Sequence, residues 1–140
     1  MTTIVCNRSG MAADKRISGG AMFRSTKIFR INGALIGIAG NVEQALRFVE
    51  WRRTPEQKPV FADSSEFCAI ELSPEGNLMW WGAELVGIPI EDEFYAIGSG
   101  SHLALGALSM GASLKESILV AARWDVGTGT EIQTMKLKGK

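Results

Sequence analysis

The chain has 140 residues, a length that fits one domain and can bury a sizeable core. Basic and acidic residues number 15 each, so no excess of charge points to nucleic acid or to an anionic membrane surface. No apolar stretch approaches the roughly 18 residues that a membrane-spanning helix needs. We therefore expect a single cytoplasmic domain over residues 1–140 that binds neither nucleic acid nor membrane.

The cysteines and the histidine limit the chemistry further. Cys6 and Cys68 both lie in apolar, strand-like segments, and no secretory signal pattern precedes them, which favours buried reduced thiols over a disulfide. His102 is the only histidine, which disfavours a histidine-based metal site and a Ser-His-Asp triad. We expect no metal and no cofactor.

The N-terminal stretch contains the first candidate site. Removal of Met1 would leave Thr2 as the first residue, and an N-terminal threonine carries a hydroxyl beside an amine that can act as its general base. β-Branched and apolar residues predict a strand over 3–6, and a second strand follows over 11–13 and ends at Asp14. A strand that begins at the terminus would hold Thr2 inside the fold, although most N-terminal threonines have no such role.

Periodicity and turn residues predict the remaining elements. Alternating or apolar segments bounded by turn residues predict strands over 27–31, 34–39, 67–72, 78–81, 94–97 and 131–137. Helix-start signals predict helices over 42–53, 101–110 and 114–124, the first capped by Asn41 and the last by a capping box of Ser113 and Glu116. Residues 18–20 are expected to be a flexible break, 21–24 a short strand or a loop, and 54–66 a connection.

The order of these elements predicts a fold class. Two strands and a hairpin precede one helix, another hairpin and a strand lead to two helices, and a strand closes the chain. Strict strand–helix alternation, which a parallel sheet requires, is absent. The order predicts an α+β fold in which helices pack on the outside of antiparallel sheets.

Several small or charged residues stand at predicted strand ends, where catalytic groups are commonly displayed. Lys27 opens an apolar strand, and Asp14 could hold it charged next to Thr2. A free α-amine titrates at about 7.7–8.0, so a nearby cation would shift the amine of Thr2 towards the free base at neutral pH. Gly40 precedes a predicted helix and could offer an N–H group to an oxyanion. Lys27 and Asp14 equally fit ordinary charges at strand edges, and many strand-to-helix turns resemble the one at Gly40.

Residues 98–100, Gly-Ser-Gly before a helix, resemble a phosphate-binding turn but lack the full dinucleotide or P-loop spacing. Phosphate binding is therefore disfavoured there.

Segments over nearly the whole chain match one family in order. They are Thr2-Thr3-Ile4-Val5 with Gly10, Ala13-Asp14-Lys15-Arg16-Ile17-Ser18, Lys27-Ile28-Phe29-Arg30-Ile31, Ala39-Gly40, Ala96-Ile97-Gly98-Ser99-Gly100 and Asp125-Val126-Gly127-Thr128-Gly129. Together they resemble the proteasome β-type family, most closely the bacterial HslV peptidases. The resemblance implies an N-terminal-nucleophile hydrolase fold, a four-layer αββα sandwich of two antiparallel sheets. Because the connection 54–66 stands where the family has a long second helix, we expect a reduced helix layer.

The resemblance also implies roles for individual residues. Thr2 Oγ would attack a peptide carbonyl while its own α-amine takes the proton. Lys27 would lower the pKa of that amine, Asp14 would orient Lys27, and the Gly40 N–H would donate to the oxyanion. Ser99, Asp125 and Thr128 would form a supporting polar network beside the nucleophile. Ser18 would bind the substrate backbone, and Ile38 would form a wall of the substrate pocket. An isoleucine at that wall would favour apolar or neutral side chains.

The expected function is therefore that of a threonine endopeptidase with a polypeptide substrate. A homo-oligomer is expected, as a ring or a smaller assembly, and an ATPase unfoldase as a further partner stays open. Two alternatives remain on the same fold. One is a non-catalytic assembly subunit that retains Met1, and the other is an amidohydrolase that uses the same nucleophile on a small amide.

Overall fold

A computed structural model describes residues 2–19, 21–61 and 66–138. The strands are β1 (Thr3–Asn7), β2 (Gly10–Asp14), β3 (Arg16–Gly19), β4 (Ala21–Arg24), β5 (Ile28–Ile31), β6 (Ala34–Gly40), β7 (Phe67–Leu72), β8 (Leu78–Trp81), β9 (Gly87–Ile90), β10 (Phe94–Gly98) and β11 (Ile132–Lys136). The helices are α1 (Val42–Arg53), α2 (Ser101–Ser109) and α3 (Leu114–Trp124).

The strands form two main sheets and one small hairpin, and neighbouring strands are antiparallel throughout. The four-stranded sheet has the order β10-β1-β2-β11, and the five-stranded sheet has the order β5-β6-β7-β8-β9. Strands β3 and β4 pair only with each other. This arrangement confirms the α+β class with antiparallel sheets.

Three apolar cores show how these elements are layered. One core lies between the two sheets, a second lies between α1 and the five-stranded sheet, and a third lies between the four-stranded sheet and the pair α2 and α3. The three central residues of β1 are apolar because both faces of the strand are covered. Ile4 and Cys6 face the core between the sheets, whereas Val5 faces the two helices. The four layers of the predicted αββα sandwich are present. In the described residues, α1 is the sole helix on the five-stranded sheet, as the predicted reduced helix layer requires.

Local signals fixed most element boundaries. The Asn41 side chain accepts the Gln44 N–H at 3.0 Å and caps α1, and the capping box of Ser113 and Glu116 is present at the start of α3.

No helix in the described part of the chain is long and apolar enough to cross a membrane. Cys6 is buried, Cys68 is half-buried, and both are free thiols.

Two elements differ from the sequence expectation. The break expected over 18–20 is wrong for its described part, because Ser18 and Gly19 belong to β3 and pair with β4. This hairpin is attached at its base, where the Ser25 N–H donates to the Lys15 carbonyl at 2.8 Å. Strand β9 was not predicted, because proline has no N–H group to donate within a sheet and is therefore rare in strands. Pro89 is tolerated here because β9 is the edge strand of its sheet.

Candidate active site

A cavity of about 310 Å³ lies next to Thr2, between β3, the start of β5, the end of β6 and α1. Thr2 itself is only 5% exposed. The residues that line the cavity are Thr2, Ile17, Ser25, Thr26, Lys27, Phe29, Ile38, Ala39, Gly40, Val42, Ala45 and Leu46. Four of the sequence-predicted site residues (Thr2, Lys27, Ile38 and Gly40) therefore share one cavity.

Beside Thr2, a buried ion pair joins Lys27 and Asp14. The Lys27 ammonium donates to Asp14 Oδ1 at 3.0 Å, and the same oxygen accepts the Thr3 N–H at 2.9 Å. The other carboxylate oxygen accepts the N–H groups of Arg16 at 3.2 Å and Gly129 at 2.9 Å. Asp14 is fully buried and Lys27 is 2% exposed, so a desolvated carboxylate is satisfied by four donors.

The electrostatics of Lys27 reflect its burial. Burial lowers the pKa of the Lys27 ammonium, the charge and hydrogen bond of Asp14 raise it in part, and the nearby cation of Arg16 lowers it further, so that the pKa lies below its ordinary value. A lysine in this position can change the protonation of a neighbouring amine, because a cation disfavours a second positive charge nearby.

A second polar network lies behind Thr2. Thr128 Oγ1 donates to Asp125 Oδ2 at 2.6 Å, and Ser99 Oγ donates to the same oxygen at 2.7 Å. Thr3 Oγ1 lies 2.7 Å from Thr128 Oγ1 and is the donor in that pair, since the single hydroxyl proton of Thr128 goes to Asp125. Ser99 Oγ also lies 3.5 Å from the Thr2 carbonyl oxygen. The structure thus brings Ser99, Asp125 and Thr128 together beside the backbone of Thr2.

The carboxyl of Asp125 remains ionised in this network. Its partial burial would raise the pKa, but the hydrogen bonds from Thr128, Ser99 and the backbone of Gly127 act in the opposite direction and hold the pKa below its ordinary value. Asp125 therefore acts as the acceptor that fixes two hydroxyl groups.

Two glycines allow the chain to approach Thr2 closely. Gly98 has a φ of +100°, and a Cβ there would lie 1.9 Å from the Thr2 carbonyl oxygen. A Cβ on Gly100 would lie 2.2 Å from Thr3 Oγ1. The Gly100 N–H also lies 3.5 Å from the Thr2 carbonyl oxygen. The Gly-Ser-Gly turn is thus shaped for contact with the N-terminal strand.

Gly40 ends β6 in a conformation that favours glycine. Its φ is +90°, and a Cβ there would lie 1.5 Å from the Glu66 carbonyl oxygen. The Asn41 N–H donates to that same oxygen at 2.9 Å, so the turn is held against β7 as the chain enters α1. Gly40 therefore stands both at the cavity and at the positive end of a helix.

Of the three predicted substrate-binding residues, Ile38 and Gly40 line the cavity, whereas Ser18 is next to a residue that lines it. Ile38, in β6, is 5% exposed and forms part of the wall. Ser18 lies in β3 and pairs with Met22; it follows Ile17, which lines the cavity. The side chain of Ser18, and the state of Met1, lie outside the described residues.

Other residues of the site were not identified from sequence. Thr3, Arg16 and Gly129 all contact the Asp14 carboxylate, and Gln133 contacts the backbone of Lys27 at 3.2 Å. No local pattern marks them as site residues, although Thr3, Arg16 and Gly129 lie inside segments that carried the family resemblance. Within residues 2–19, 21–61 and 66–138, no group of three or more His, Cys, Asp or Glu side chains could hold a metal ion.

Fold and layer order together define an HslV-like, N-terminal-nucleophile hydrolase fold. Solved structures with this fold include Thiobacillus denitrificans BPH, with a TM-score of 0.76 and 19% identity over 99% of this chain and 100% of that chain. The same protein in complex with epoxomicin matches with a TM-score of 0.72 and 18% identity over 98% of this chain and 100% of that chain. Eukaryotic HslV from Trypanosoma brucei matches with a TM-score of 0.76 and 20% identity over 96% and 98% of the two chains. No protein-family model and no curated protein matches the sequence.

Proposed function

We propose that this protein is a threonine peptidase of the proteasome-like class, which hydrolyses peptide bonds after Met1 has been removed. The observation that carries the proposal is the shared cavity of Thr2, Lys27 and Gly40, with Asp14 paired to Lys27 at 3.0 Å. Nucleophile, cation and N–H donor are the three parts that acyl transfer at an N-terminal threonine needs.

In the proposed reaction, Thr2 Oγ attacks the substrate carbonyl carbon and its proton passes to the α-amine of Thr2. The N–H of Gly40 donates to the oxyanion of the tetrahedral intermediate. Collapse breaks the C–N bond, and the amine returns the proton to the leaving nitrogen, which gives an ester on Thr2. Water then attacks the ester with the same amine as base, and the peptide acid and the free threonine are released.

Lys27 supports this role for the amine. Its ammonium next to Thr2 disfavours the protonated amine and so leaves the free base available at neutral pH. Asp14 holds the ammonium in place, and the network of Ser99, Asp125 and Thr128 fixes the backbone on the other side of the nucleophile.

The cavity indicates the kind of side chain that the substrate presents. Ile38, Phe29, Ala45 and Leu46 give it apolar walls, and its one charged residue, Lys27, is already paired. We propose that the cavity accepts an apolar side chain of the substrate. The substrate backbone would bind along β3 near Ser18, in the way that an added strand pairs with a sheet.

The comparisons support this proposal. A protein of the same fold is described in complex with epoxomicin, and another is an HslV. We further propose a homo-oligomer, because Met110, Trp124 and Val126 are 89%, 67% and 86% exposed on the side of α2 and α3. Light scattering on the purified protein measures its mass in solution, and a monomer would contradict this part.

Intact mass is the first test of the peptidase proposal. Loss of the mass of one methionine residue is expected, whereas full retention of Met1 would block the amine and favour the non-catalytic assembly subunit. The second test compares initial rates on fluorogenic peptides with an apolar residue before the cut. Trimmed wild type should be active and Thr2→Ala inactive, and equal rates would exclude Thr2 as the nucleophile. Hydrolysis of small amides without turnover of peptides would favour the amidohydrolase.

A further inference from the structure

Gln133 in β11 contacts Ile28, the first residue of β5, and the preceding residue Lys27 through its side-chain amide. Its oxygen accepts the backbone N–H groups of Lys27 at 3.2 Å and of Ile28 at 3.3 Å. Its nitrogen donates to the carbonyl oxygen of Ile28 at 3.0 Å and lies 3.8 Å from the sulfur of Met135. One side chain thus supplies the donor and acceptor groups that a neighbouring strand would supply to these two residues.

The position of β5 in its sheet shows what the Gln133 contact adds. Strand β5 is an edge of the five-stranded sheet, whereas β11 is an edge of the four-stranded sheet. On one side Lys27 is held by β6, because its carbonyl oxygen accepts the Ile38 N–H at 3.0 Å. On the other side it is held by Gln133, so the amide joins the two sheets at the point where Lys27 enters the cavity.

The same strand also fixes the partner of Lys27. In the register of β2 and β11, Asp14 lies opposite Ile132, and Gln133 is the next residue along the chain. Adjacent positions of β11 therefore set the backbone of Asp14 through strand pairing and the backbone of Lys27 through a side chain. The geometry of the buried ion pair depends on both.

We infer that Gln133 is a positioning residue, which fixes the backbone of Lys27 so that the ammonium meets Asp14 and the cavity at Thr2 together. This inference rests on the proposed function for its catalytic consequence. A lysine has a flexible four-carbon stem, so Asp14 alone leaves the path of that stem open. A backbone anchor on both sides fixes the point from which the stem starts, so that fewer paths of the stem reach Asp14.

Arg30 offers a matched control at the other end of the same strand. Its guanidinium donates to the carbonyl oxygens of Leu137 at 2.9 Å and Lys136 at 2.6 Å. Arg30 therefore also joins the edge strand β5 of one sheet to the end of the edge strand β11 of the other. Arg30→Met removes cross-sheet hydrogen bonds without touching Lys27. Gln133→Met removes those at Lys27 with a side chain of similar length.

Both variants are compared with wild type on a fluorogenic peptide. Gln133→Met should lower kcat by about 10- to 100-fold with little change in KM, because a displacement of about 1 Å near the reacting groups has effects of this size. Arg30→Met should keep kcat within about threefold of wild type at a similar loss of stability. Equal losses of kcat in the two variants would overturn the inference, as they would reflect sheet docking alone.

Crystal structures of the two variants give a readout that does not need activity. In Gln133→Met, the Lys27 ammonium should move away from the 3.0 Å contact with Asp14, and in Arg30→Met it should stay. An unmoved ammonium in Gln133→Met would overturn the inference. If wild type proves as inactive as Thr2→Ala, the proposed function fails and this structural comparison alone decides. Gln133→Asn, which is one methylene shorter, replaces Gln133→Met if the latter does not fold.

Discussion

Lys27 and Asp14 form an ion pair in which both side chains are almost fully removed from water, at 2% and 0% exposure. Desolvation of each charge is costly, so the pair is stable only while the charges compensate each other. Removing one partner leaves the other charge buried and unpaired, which costs more than the pair itself contributes. In the proposed function, this pair places a cation beside Thr2.

Asp14→Asn should destabilise the protein by about 3–5 kcal/mol, because it leaves the Lys27 ammonium without a counter-charge. The double variant Asp14→Asn/Lys27→Met should recover part of this loss, since it removes the unpaired charge as well. Urea unfolding measures both free energies.

The exposed pair of Arg24 and Glu131 serves as the control for this experiment. Its side chains are 72% and 52% exposed, although the two atoms are also 3.0 Å apart. Glu131→Gln should cost less than about 1 kcal/mol. Equal costs for Asp14→Asn and Glu131→Gln would contradict the role given to burial.

Gly40→Ala should unfold or strongly destabilise the turn into α1, because the added Cβ would lie 1.5 Å from the Glu66 carbonyl oxygen at a φ of +90°. Peptidase activity should be lost with it. Gly106→Ala is the matched control, since a Cβ there meets nothing within 4 Å and lies inside α2. It should be neutral or stabilise by up to about 1 kcal/mol. Thermal unfolding of both variants measures these effects on stability. A melting temperature of Gly40→Ala equal to that of wild type would refute the predicted steric clash.

At the scale of elements, the loop after α3 is held by Asp125, which accepts hydrogen bonds from Ser99 and Thr128. Its partial burial would raise the pKa, but these bonds and the one from the Gly127 backbone prevail and hold the pKa below its ordinary value. For a carboxyl with a lowered folded-state pKa, the stabilisation is present above the unfolded pKa of about 3.9 and is lost as pH falls through the folded value.

Asp125→Asn should therefore show its largest deficit in unfolding free energy near neutral pH. The deficit should shrink as pH falls from about 4 through the lower folded pKa, because wild type then loses the same contribution. Urea unfolding between about pH 2.5 and 7 provides the measurement. Parallel curves for the two proteins would show that Asp125 does not titrate as described.

Elements with strong local signals were predictable from the sequence, and elements set by their neighbours were not. Strand β1 and helix α1 follow from an apolar run and from the cap at Asn41. Strand β9 contains Pro89, and β3 ends in Ser18 and Gly19, so their local chemistry opposes a strand. Only pairing with β8 and β4 makes them strands, and pairing is a tertiary property.

The candidate site shows the same division. Thr2, Lys27 and Gly40 could be predicted as candidates because they occupy strand ends inside segments with a family resemblance. Gln133 was missed because it lies 106 residues from Lys27 and its contact depends on how the two sheets dock. Arg8 is similar: its guanidinium reaches the carbonyl oxygen of Ile90 at 3.1 Å, from one sheet to the other.

At the scale of the whole molecule, the core between the two sheets contains Cys6 and borders Cys68. Burial raises the pKa of the Cys68 thiol to about 11, and it raises that of Cys6 further, against a small lowering effect of Arg8. At pH 8 a thiol with this pKa is ionised to about one part in a thousand. Cys6 is 0% exposed and becomes accessible only when the sheets separate.

Alkylation of the native protein at pH 8 should accordingly be slow at both thiols and slowest at Cys6. The alkylation rate at Cys6 should rise with urea at the slope of global unfolding, because we expect the core between the sheets to open only when the domain unfolds. Mass spectrometry of peptides after timed labelling separates the two sites. Labelling of Cys6 at the rate of the denatured chain would contradict the layered core.

We propose Thr2, once freed of Met1, as the nucleophile of a peptidase site shared with Lys27 and Gly40. Labelling with a peptide that ends in a vinyl sulfone and presents an apolar side chain tests this assignment, because such a group reacts with an activated nucleophile and stays attached. Intact mass should show one added peptide per chain, and peptide mapping should place it on Thr2. Thr2→Ala should remain unmodified, and Lys27→Met should react far more slowly. Attachment to another residue, or equal labelling of Thr2→Ala, would contradict the claim.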